Sequence, residues 1–407
     1  MLCFLFCQVG KGSMKDTPVS ERIRIAFAGR RNAGKSSLIN AFTSQEVSIV
    51  SDVPGTTTDP VSKTMELFPL GPVVITDTAG LDDTGVLGEL RTAKTEGIID
   101  RSDMVFVVIS SEFSDLSLEK ELMARLRKAG TDHIVCMTKS DLGPGREALL
   151  EKELETRVFP VSSTEGTGIE ELRIYAGKMR SEGSKPRTIL EGLCSPGSKV
   201  LMITPIDESA PKGRMILPQV MTLRDSMDRH CICACVQPQE YPEALEIFRP
   251  DLCITDSQAF AFVDQATPES LRLTSFSILM ARAKGDLSLF YEGAQAIDSL
   301  TDHSRILIAE ACTHHVQKND IGTGLIPDKL RKYTGKSLVF EKSSGADFPS
   351  DLSDYDLVIH CGGCMISARD MRLRQNKARD RGVPMTNYGV LLAKLGGILE
   401  RAAGWLL

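Results

Sequence analysis

Two groups of residues in this chain have the types and spacing to do chemistry. The first is Gly29-Arg-Arg-Asn-Ala-Gly34-Lys35-Ser36, which fits G-x-x-x-x-G-K-[ST]. Such a loop, placed between a strand and a helix, lets backbone amides approach phosphates, and the helix N-terminus adds a field that favours anions. Gly29, Ala33, Gly34 and Ser37 belong to that cradle. Lys35 is expected on the β- and γ-phosphates and Ser36 on Mg²⁺. Asp77-Thr-Ala-Gly80 follows as D-x-x-G at a strand end. There Asp77 would hold Mg²⁺ through water and the Gly80 amide would meet the γ-phosphate. Between the two lies Gly55-Thr-Thr-Thr-Asp59, with Thr57 as the expected second Mg²⁺ ligand ahead of Thr56 and Thr58. Lys35, Thr57 and Gly80 are the candidate catalytic set.

Thr138-Lys139-Ser140-Asp141 follows a further apolar strand and is similar to the guanine-reading N-K-x-D motif, with Thr138 in place of Asn. A carboxylate at Asp141 can accept two hydrogen bonds from guanine N1 and its 2-amino group. Adenine offers no such donor pair, so the nucleotide is expected to be GTP. Lys139 would lay its stem along the base. The Thr puts the loop contacts of the usual Asn in doubt. Ser162, in Val161-Ser162-Ser163, occupies the place of the last base-contacting loop.

The second group is Cys312-Thr-His314 together with His360-Cys361-Gly-Gly-Cys364. Each follows an apolar strand pattern, and the carboxyl ends of parallel strands share one edge, where ligands commonly bind. Three cysteines favour a soft metal, an iron–sulfur cluster or zinc. A closed Cys₃His zinc site remains open on residue chemistry alone. Cys231, Cys233 and Cys235 alternate, so they are expected to line one face of a strand in the core. Cys136 and Cys253 sit in apolar strands and read the same way. His315 reads as a surface residue or a neighbour of the ligands, and His133, His230 and His303 as strand-edge residues.

The elements that must position these groups follow from the hydrophobic pattern. Strands are predicted at Arg22–Gly29, Val73–Asp77, Met104–Ser110, Ile134–Thr138 and Val158–Val161, with helices between them. Further strands are predicted at Val200–Thr204, His230–Val236, Leu252–Thr255, Arg305–Ala309, Leu338–Phe340 and Leu357–His360. Helices are predicted at Met215–Arg229, Tyr241–Phe248, Ser277–Lys284, Ala368–Asp380 and Leu391–Ala403. Alternation of this kind implies α/β architecture with mainly parallel sheets. The Gly-, Ser- and Lys-rich stretch Gly177–Lys199 reads as a linker. The expected domains are 1–180, 187–270 and 271–407. The middle block is small for a core of its own, and pairing with a second copy would stabilise it.

The chain has 407 residues, 42% hydrophobic and 25% charged, with a net charge of −6. That balance is globular, and the acidic excess argues against a nucleic-acid coat. No apolar run is long enough for a membrane span. The apolar start MLCFLFCQV lacks a preceding basic residue and a cleavage site, so translation is expected to start at Met14. Eleven cysteines without an export signal suit a reducing cytoplasm.

The order of the nucleotide motifs resembles the translation-factor-like class of GTPases that includes the tRNA-modification GTPase and the Era family. That resemblance implies that Asn32 helps bind a potassium ion, whose charge stands in for an arginine finger. Leu81 follows the D-x-x-G where Ras-like enzymes carry a catalytic glutamine. Leucine cannot orient water, so slow intrinsic hydrolysis is expected.

A GTPase domain followed by C-T-H and H-C-G-G-C resembles the HydF family, the GTPases of [FeFe]-hydrogenase H-cluster maturation, over about the whole chain from Met14. The resemblance implies a P-loop GTPase domain, a dimerisation domain and a cluster-binding domain. It implies a [4Fe-4S] cluster on Cys312, Cys361 and Cys364, with an exchangeable fourth iron position. His314 and His360 are further candidate ligands, and Asn319 and Asp320 are nearby oxygen donors. It also implies a homodimeric carrier that receives a diiron precursor from radical-SAM maturases and delivers it to apo-[FeFe]-hydrogenase. A metallochaperone with a structural zinc domain and an RNA-modification GTPase are the alternatives.

Overall fold

The structure is a computed structural model. It describes residues 18–44, 62–82, 86–142, 145–182, 187–206, 215–311, 321–345, 347–349 and 351–407. Thr57 and its neighbours, and Cys312, His314, His315, Asn319 and Asp320, lie outside the described residues. The chain forms two compact units, 1–185 and 186–407.

The first unit is built on runs that are apolar at nearly every position, the pattern of strands covered on both faces. Its elements are β1 (Ile23–Ala28), α1 (Lys35–Thr43), β2 (Ser62–Leu67), β3 (Gly71–Asp77), α2 (Val86–Arg101) and β4 (Met104–Ser110). They continue as α3 (Ser117–Lys128), β5 (Asp132–Thr138), α4 (Glu147–Leu154), β6 (Val158–Pro160) and α5 (Ile169–Glu182). The sheet order is β2-β3-β1-β4-β5-β6, parallel except for β2, which runs antiparallel to β3. Side chains alternate across each strand. Ile25, Phe27, Phe106 and Val108 enter one core layer, and Ala26, Ala28, Val105 and Val107 the other. Phe27 stacks on Phe106 with ring centroids 4.6 Å apart, and Phe42 of α1 closes edge-on against both. This packing fixes the strand end from which the phosphate loop departs.

The second unit contains two four-stranded sheets. The first takes β7 (Lys199–Ile203), α6 (Leu217–Asp228), β8 (Ile232–Val236), α7 (Tyr241–Phe248), β9 (Leu252–Thr255), α8 (Phe260–Ala266), β10 (Arg272–Ser275) and α9 (Phe276–Lys284). The second takes α10 (Leu287–Gln295), β11 (Arg305–Glu310), α11 (Ile326–Thr334), β12 (Val339–Ser344), β13 (Leu357–His360), α12 (Ala368–Asp380), β14 (Met385–Asn387), α13 (Tyr388–Leu395) and α14 (Leu399–Ala403). Their orders are β10-β9-β7-β8 and β12-β11-β13-β14, and every pairing is parallel.

Each sheet thus has its first strand flanked by its second and third, with the fourth outside the third. The likeness extends to register. Thr255 pairs with Ile203 and Ser275, as His360 pairs with Ala309 and Asn387. Ser275 and Asn387 each accept from the backbone N–H three residues on and cap the helix that follows. One continuous core, from Val200 and Ile254 to Leu357 and Leu391, covers both sheets.

The α/β class with mainly parallel sheets is as the sequence implied. Several details differ. β2 is a polar, antiparallel edge strand that no apolar run announces. The boundary expected at 270/271 falls just before β10, which pairs with β9. The helix expected over Leu391–Ala403 is two helices, interrupted after Leu395 at Gly396-Gly397. The alternating cysteines are not core residues: Cys231 and Cys233 are half-buried and Cys235 is exposed. β8 is the last strand of its sheet, and none of its residues is fully buried.

Candidate functional site

Backbone amides can reach phosphates only where the chain turns sharply between strand and helix. Gly29 ends β1 so close to β4 that a Cβ there would collide with the Val108 carbonyl oxygen. Asn32 has φ +60° and Gly34, which precedes α1, has φ +86°. The turn opens onto a pocket of about 550 Å³. Of the expected residues, Asn32, Gly34, Lys35, Ser36 and Ser37 line it from the loop and helix start. Asp77, Gly80 and Lys139 line it from the neighbouring strand ends.

Inside the pocket, the Ser36 hydroxyl donates to Asp77 Oδ2 at 2.6 Å. Asp77 Oδ1 is buried without a hydrogen-bond partner. Burial raises the Asp77 carboxyl above its ordinary value, against the pull of the Ser36 hydroxyl and the Lys35 charge. An orphaned buried carboxylate oxygen next to a serine hydroxyl is a donor set that fits Mg²⁺ and its water. Lys35 Nζ donates to the carbonyls of Gly29 at 3.1 Å and Arg30 at 2.9 Å, which arches it over the loop.

Thr138 resolves the doubt over its motif. Its hydroxyl donates to the Ala33 carbonyl at 2.6 Å, so the strand end of β5 grips the phosphate loop through a shorter side chain. Lys139 has φ +55° and pairs with Glu112. Asp141 is exposed in the turn after β5 and is not among the pocket-lining residues. Ser162 is buried after β6, where its hydroxyl accepts from the Glu165 N–H at 3.2 Å. The two loops are joined by Ser140 N–H to the Val161 carbonyl at 3.3 Å.

Sequence reasoning missed two partners of the loop. Arg30 turns away from the pocket onto Glu119 and Asp115. Asp82 Oδ1 accepts the Arg31 N–H at 2.6 Å. Neither belongs to a contiguous motif.

The thiol pair sits at the carboxyl edge of the second sheet of the other unit. β13 ends at His360, and the Cys361 N–H donates back to the Ala309 carbonyl of β11 at 2.9 Å. The Cys361 sulfur accepts the N–H of Ala311 at 3.1 Å and of Gly363 at 3.4 Å. Ala311 is the residue bonded to Cys312, so the C-x-H run leaves the strand from a point already against Cys361. Gly363 has φ +67°, a left-handed turn that favours glycine, and a Cβ there would press on the Met371 methyl. Cys361 and Cys364 are half-buried. Burial raises the Cys364 thiol, and the charge of Lys284 pulls it back. Sulfurs on a glycine loop that accept backbone amides are a donor set that fits an iron–sulfur cluster. Among the described residues no three metal-ligating side chains converge.

His360 does not turn toward the thiols. It is 0% exposed, its Nδ1 meets the Cys361 carbonyl at 2.8 Å, and its Nε2 accepts from Arg374 at 2.9 Å. Burial, with the Arg374 charge adding to it, holds the imidazole neutral and pushes its pKa down to about 3. Both ring nitrogens of His360, a candidate ligand, are engaged by the loop backbone and Arg374.

Family models match along the chain. Residues 24–139 match one described as 50S ribosome-binding GTPase, 189–285 one described as hydrogen maturase F dimerization domain, and 288–404 one described as hydrogen maturase F tetramerization domain. The last two together span more than half of the chain. The tRNA modification GTPase MnmE of Aquifex aeolicus is 36% identical over 159 residues, 38% of this chain and 34% of that protein. GTPase Der of Kosmotoga olearia is 33% identical over 166 residues, 37% of each. The chain thus spans about a third of the length of these curated relatives. Among solved structures, a variant of Aquifex aeolicus Era bound to GDP.AlF4- is 19% identical with a TM-score of 0.35, covering 55% of this chain and 97% of that one.

Proposed function

The chain belongs to the hydrogen maturase F family, and from that premise we propose that it is a GTP-hydrolysing scaffold that holds a [4Fe-4S] cluster and carries a diiron precursor to apo-[FeFe]-hydrogenase. Its first unit carries a P-loop GTPase domain, and the matched domains of the second are of oligomerising types. No helix among the described residues is long and apolar enough to cross a membrane.

Cys361 and Cys364 would hold the cluster with Cys312, and the exchangeable fourth position would give incoming cargo a place to attach. The observation that supports this reading is the Ala311 N–H on the Cys361 sulfur at 3.1 Å, which sets the residue preceding Cys312 in the sequence against the Cys361 thiol. In the first unit, Lys35 and the loop amides bind and orient the phosphates. Ser36, Thr57 and Asp77 would hold Mg²⁺, and Gly80 would report the γ-phosphate. Asp141 with Thr138, Lys139 and Ser162 would read guanine. Asn32 would take part in binding K⁺, and Leu81, which cannot orient water, would keep turnover slow. GTP state would alter the contacts made with radical-SAM maturases.

Anaerobic reconstitution of wild type and of C312A, C361A and C364A, followed by EPR and metal analysis, tests the cluster. The expected result is iron, sulfide and a reducible [4Fe-4S] signal in wild type, lost or altered in each variant. Stoichiometric zinc without iron in the wild type would sink the scaffold reading and leave a structural metal domain.

A further inference from the structure

Lys284 is the last residue of α9 and is 7% exposed. Its Nζ donates to three carbonyl oxygens of one loop: Gly363 at 2.9 Å, Cys364 at 3.0 Å and Ile366 at 2.7 Å. An ammonium has three N–H donors, whereas a neutral amine has two and a lone pair. Three carbonyl acceptors therefore match a charged group. The loop that carries both thiols is wrapped around this charge, and its carbonyls face inward to meet it.

The placement has two consequences. Buried charge is costly unless hydrogen bonds and opposite charge offset it. The carbonyls supply the first, and thiolates holding a cluster would add to the second. The lysine also reaches the loop from a different part of the fold. It lies one residue before the end of the stretch matched by the dimerization-domain model, while the loop belongs to the stretch matched by the tetramerization-domain model. A Lys at the end of a helix ordinarily faces solvent and the helix dipole. Here it is turned inward.

We propose that Lys284 is the positioning residue of the cluster loop: it holds Cys361 and Cys364 in ligating geometry and sets a positive charge beside the bound [4Fe-4S] cluster. The inference rests on the scaffold reading above. A fixed cation next to the cluster stabilises its reduced, more negative form, so the midpoint potential is higher than it would be without the lysine. The three bonds also keep the loop closed, which slows loss of iron.

The test compares wild type, K284M, K284Q and K284R, each reconstituted anaerobically as the full chain. In K284M the midpoint potential shifts to a more negative value, and a chelator removes iron about tenfold faster, the lower end of what loss of an outer-shell partner does to a metal site. K284R, which keeps the charge, returns the potential toward wild type. A folded K284M with wild-type potential and wild-type chelator resistance overturns the proposal. If circular dichroism shows that K284M does not fold, K284Q takes its place in both measurements: a lower potential with faster iron loss supports the proposal, and wild-type values overturn it. Hydrogen exchange on the metal-free chains separates this inference from the scaffold reading. Amides over 361–366 exchange faster in K284M than in wild type, and unchanged exchange overturns the positioning role whether or not wild type takes up a cluster. A wild type that binds no cluster, with faster exchange in K284M, sinks the scaffold reading while the loop pin stands.

Discussion

The Thr138 hydroxyl reaches across from β5 to the carbonyl oxygen of Ala33 at 2.6 Å, with the Ile109 carbonyl at 3.2 Å as its second acceptor. Both Thr138 and Ala33 are buried. One side chain therefore couples the end of β5 to the phosphate loop. T138V keeps the shape and removes the donor, so it should cost about 1 kcal/mol of stability. Nucleotide affinity should fall roughly fivefold to tenfold as the loop loosens. T138S should keep most of both. Urea denaturation and titration with a fluorescent GDP measure the two effects. Unchanged GDP affinity in T138V would show that the bond does not hold the loop in its binding shape.

Arg30 makes the loop's second anchor. Its Nε donates to Glu119 Oε1 at 2.9 Å and its Nη2 to Asp115 at 2.8 Å, with Glu119 0% exposed. R30A leaves the buried Glu119 carboxylate without its charged donor, and losing a hydrogen bond to a charged group costs about 1.5–3 kcal/mol. The double variant R30M/E119L removes both charges and should recover most of that loss. Chemical denaturation of wild type, R30M, E119L and R30M/E119L closes the cycle, with R30A read beside it. A single R30A variant within about 0.5 kcal/mol of wild type, the range of ordinary surface substitutions, would mean the pair contributes nothing.

How far the sequence carries depends on whether a signal is contiguous. The phosphate loop was legible because Gly29, Gly34, Lys35 and Ser36 sit close together in the chain, between an apolar strand and a helix. β2 was not, because Ser62–Leu67 is a half-exposed edge strand whose polar residues carry no apolar run. Cys231, Cys233 and Cys235 misled for a related reason. Alternation reports a strand with two faces, but not whether a neighbour covers the face, and β8 is an edge. Lys284 left no trace in the pattern, since its partners are backbone carbonyls about 80 positions further on. His360 reads as a ligand from its place in H-C-x-x-C, and only Arg374, 14 residues on, shows that its nitrogen is taken.

Potassium dependence tests the role assigned to Asn32. The residue lines the pocket in a left-handed turn, beside the phosphates' expected place. A cation held there would add positive charge where negative charge develops on the transferred phosphoryl group. GTP turnover should be about tenfold higher in potassium than in sodium at equal ionic strength, a small share of what an arginine finger supplies. N32A should lower turnover in potassium to the sodium level while GDP still binds. Equal turnover of wild type in the two salts would leave Asn32 with a loop-shaping role alone.

Thiol reactivity distinguishes the core cysteines from the rest. Cys136 and Cys253 are fully buried in central strands. Burial raises both thiols, Cys253 to about 11, even though the Tyr241 hydroxyl donates to its sulfur at 3.4 Å. The thiolate is the nucleophile. At pH 8 a thiol at 11 is ionised in about one molecule in a thousand, against about one in ten for a thiol at 9. Access and ionisation therefore act in the same direction. Iodoacetamide at pH 8 should leave Cys136 and Cys253 unmodified in the native chain and alkylate both in guanidinium, as read by mass spectrometry of the peptides. Raising the pH to 9.5 under native conditions should change little, because closure of the strands, rather than proton loss alone, limits the reaction. Native alkylation of Cys253 as fast as in denaturant would mean that the packing of β9 between β7 and β10 is not the state the protein holds in solution.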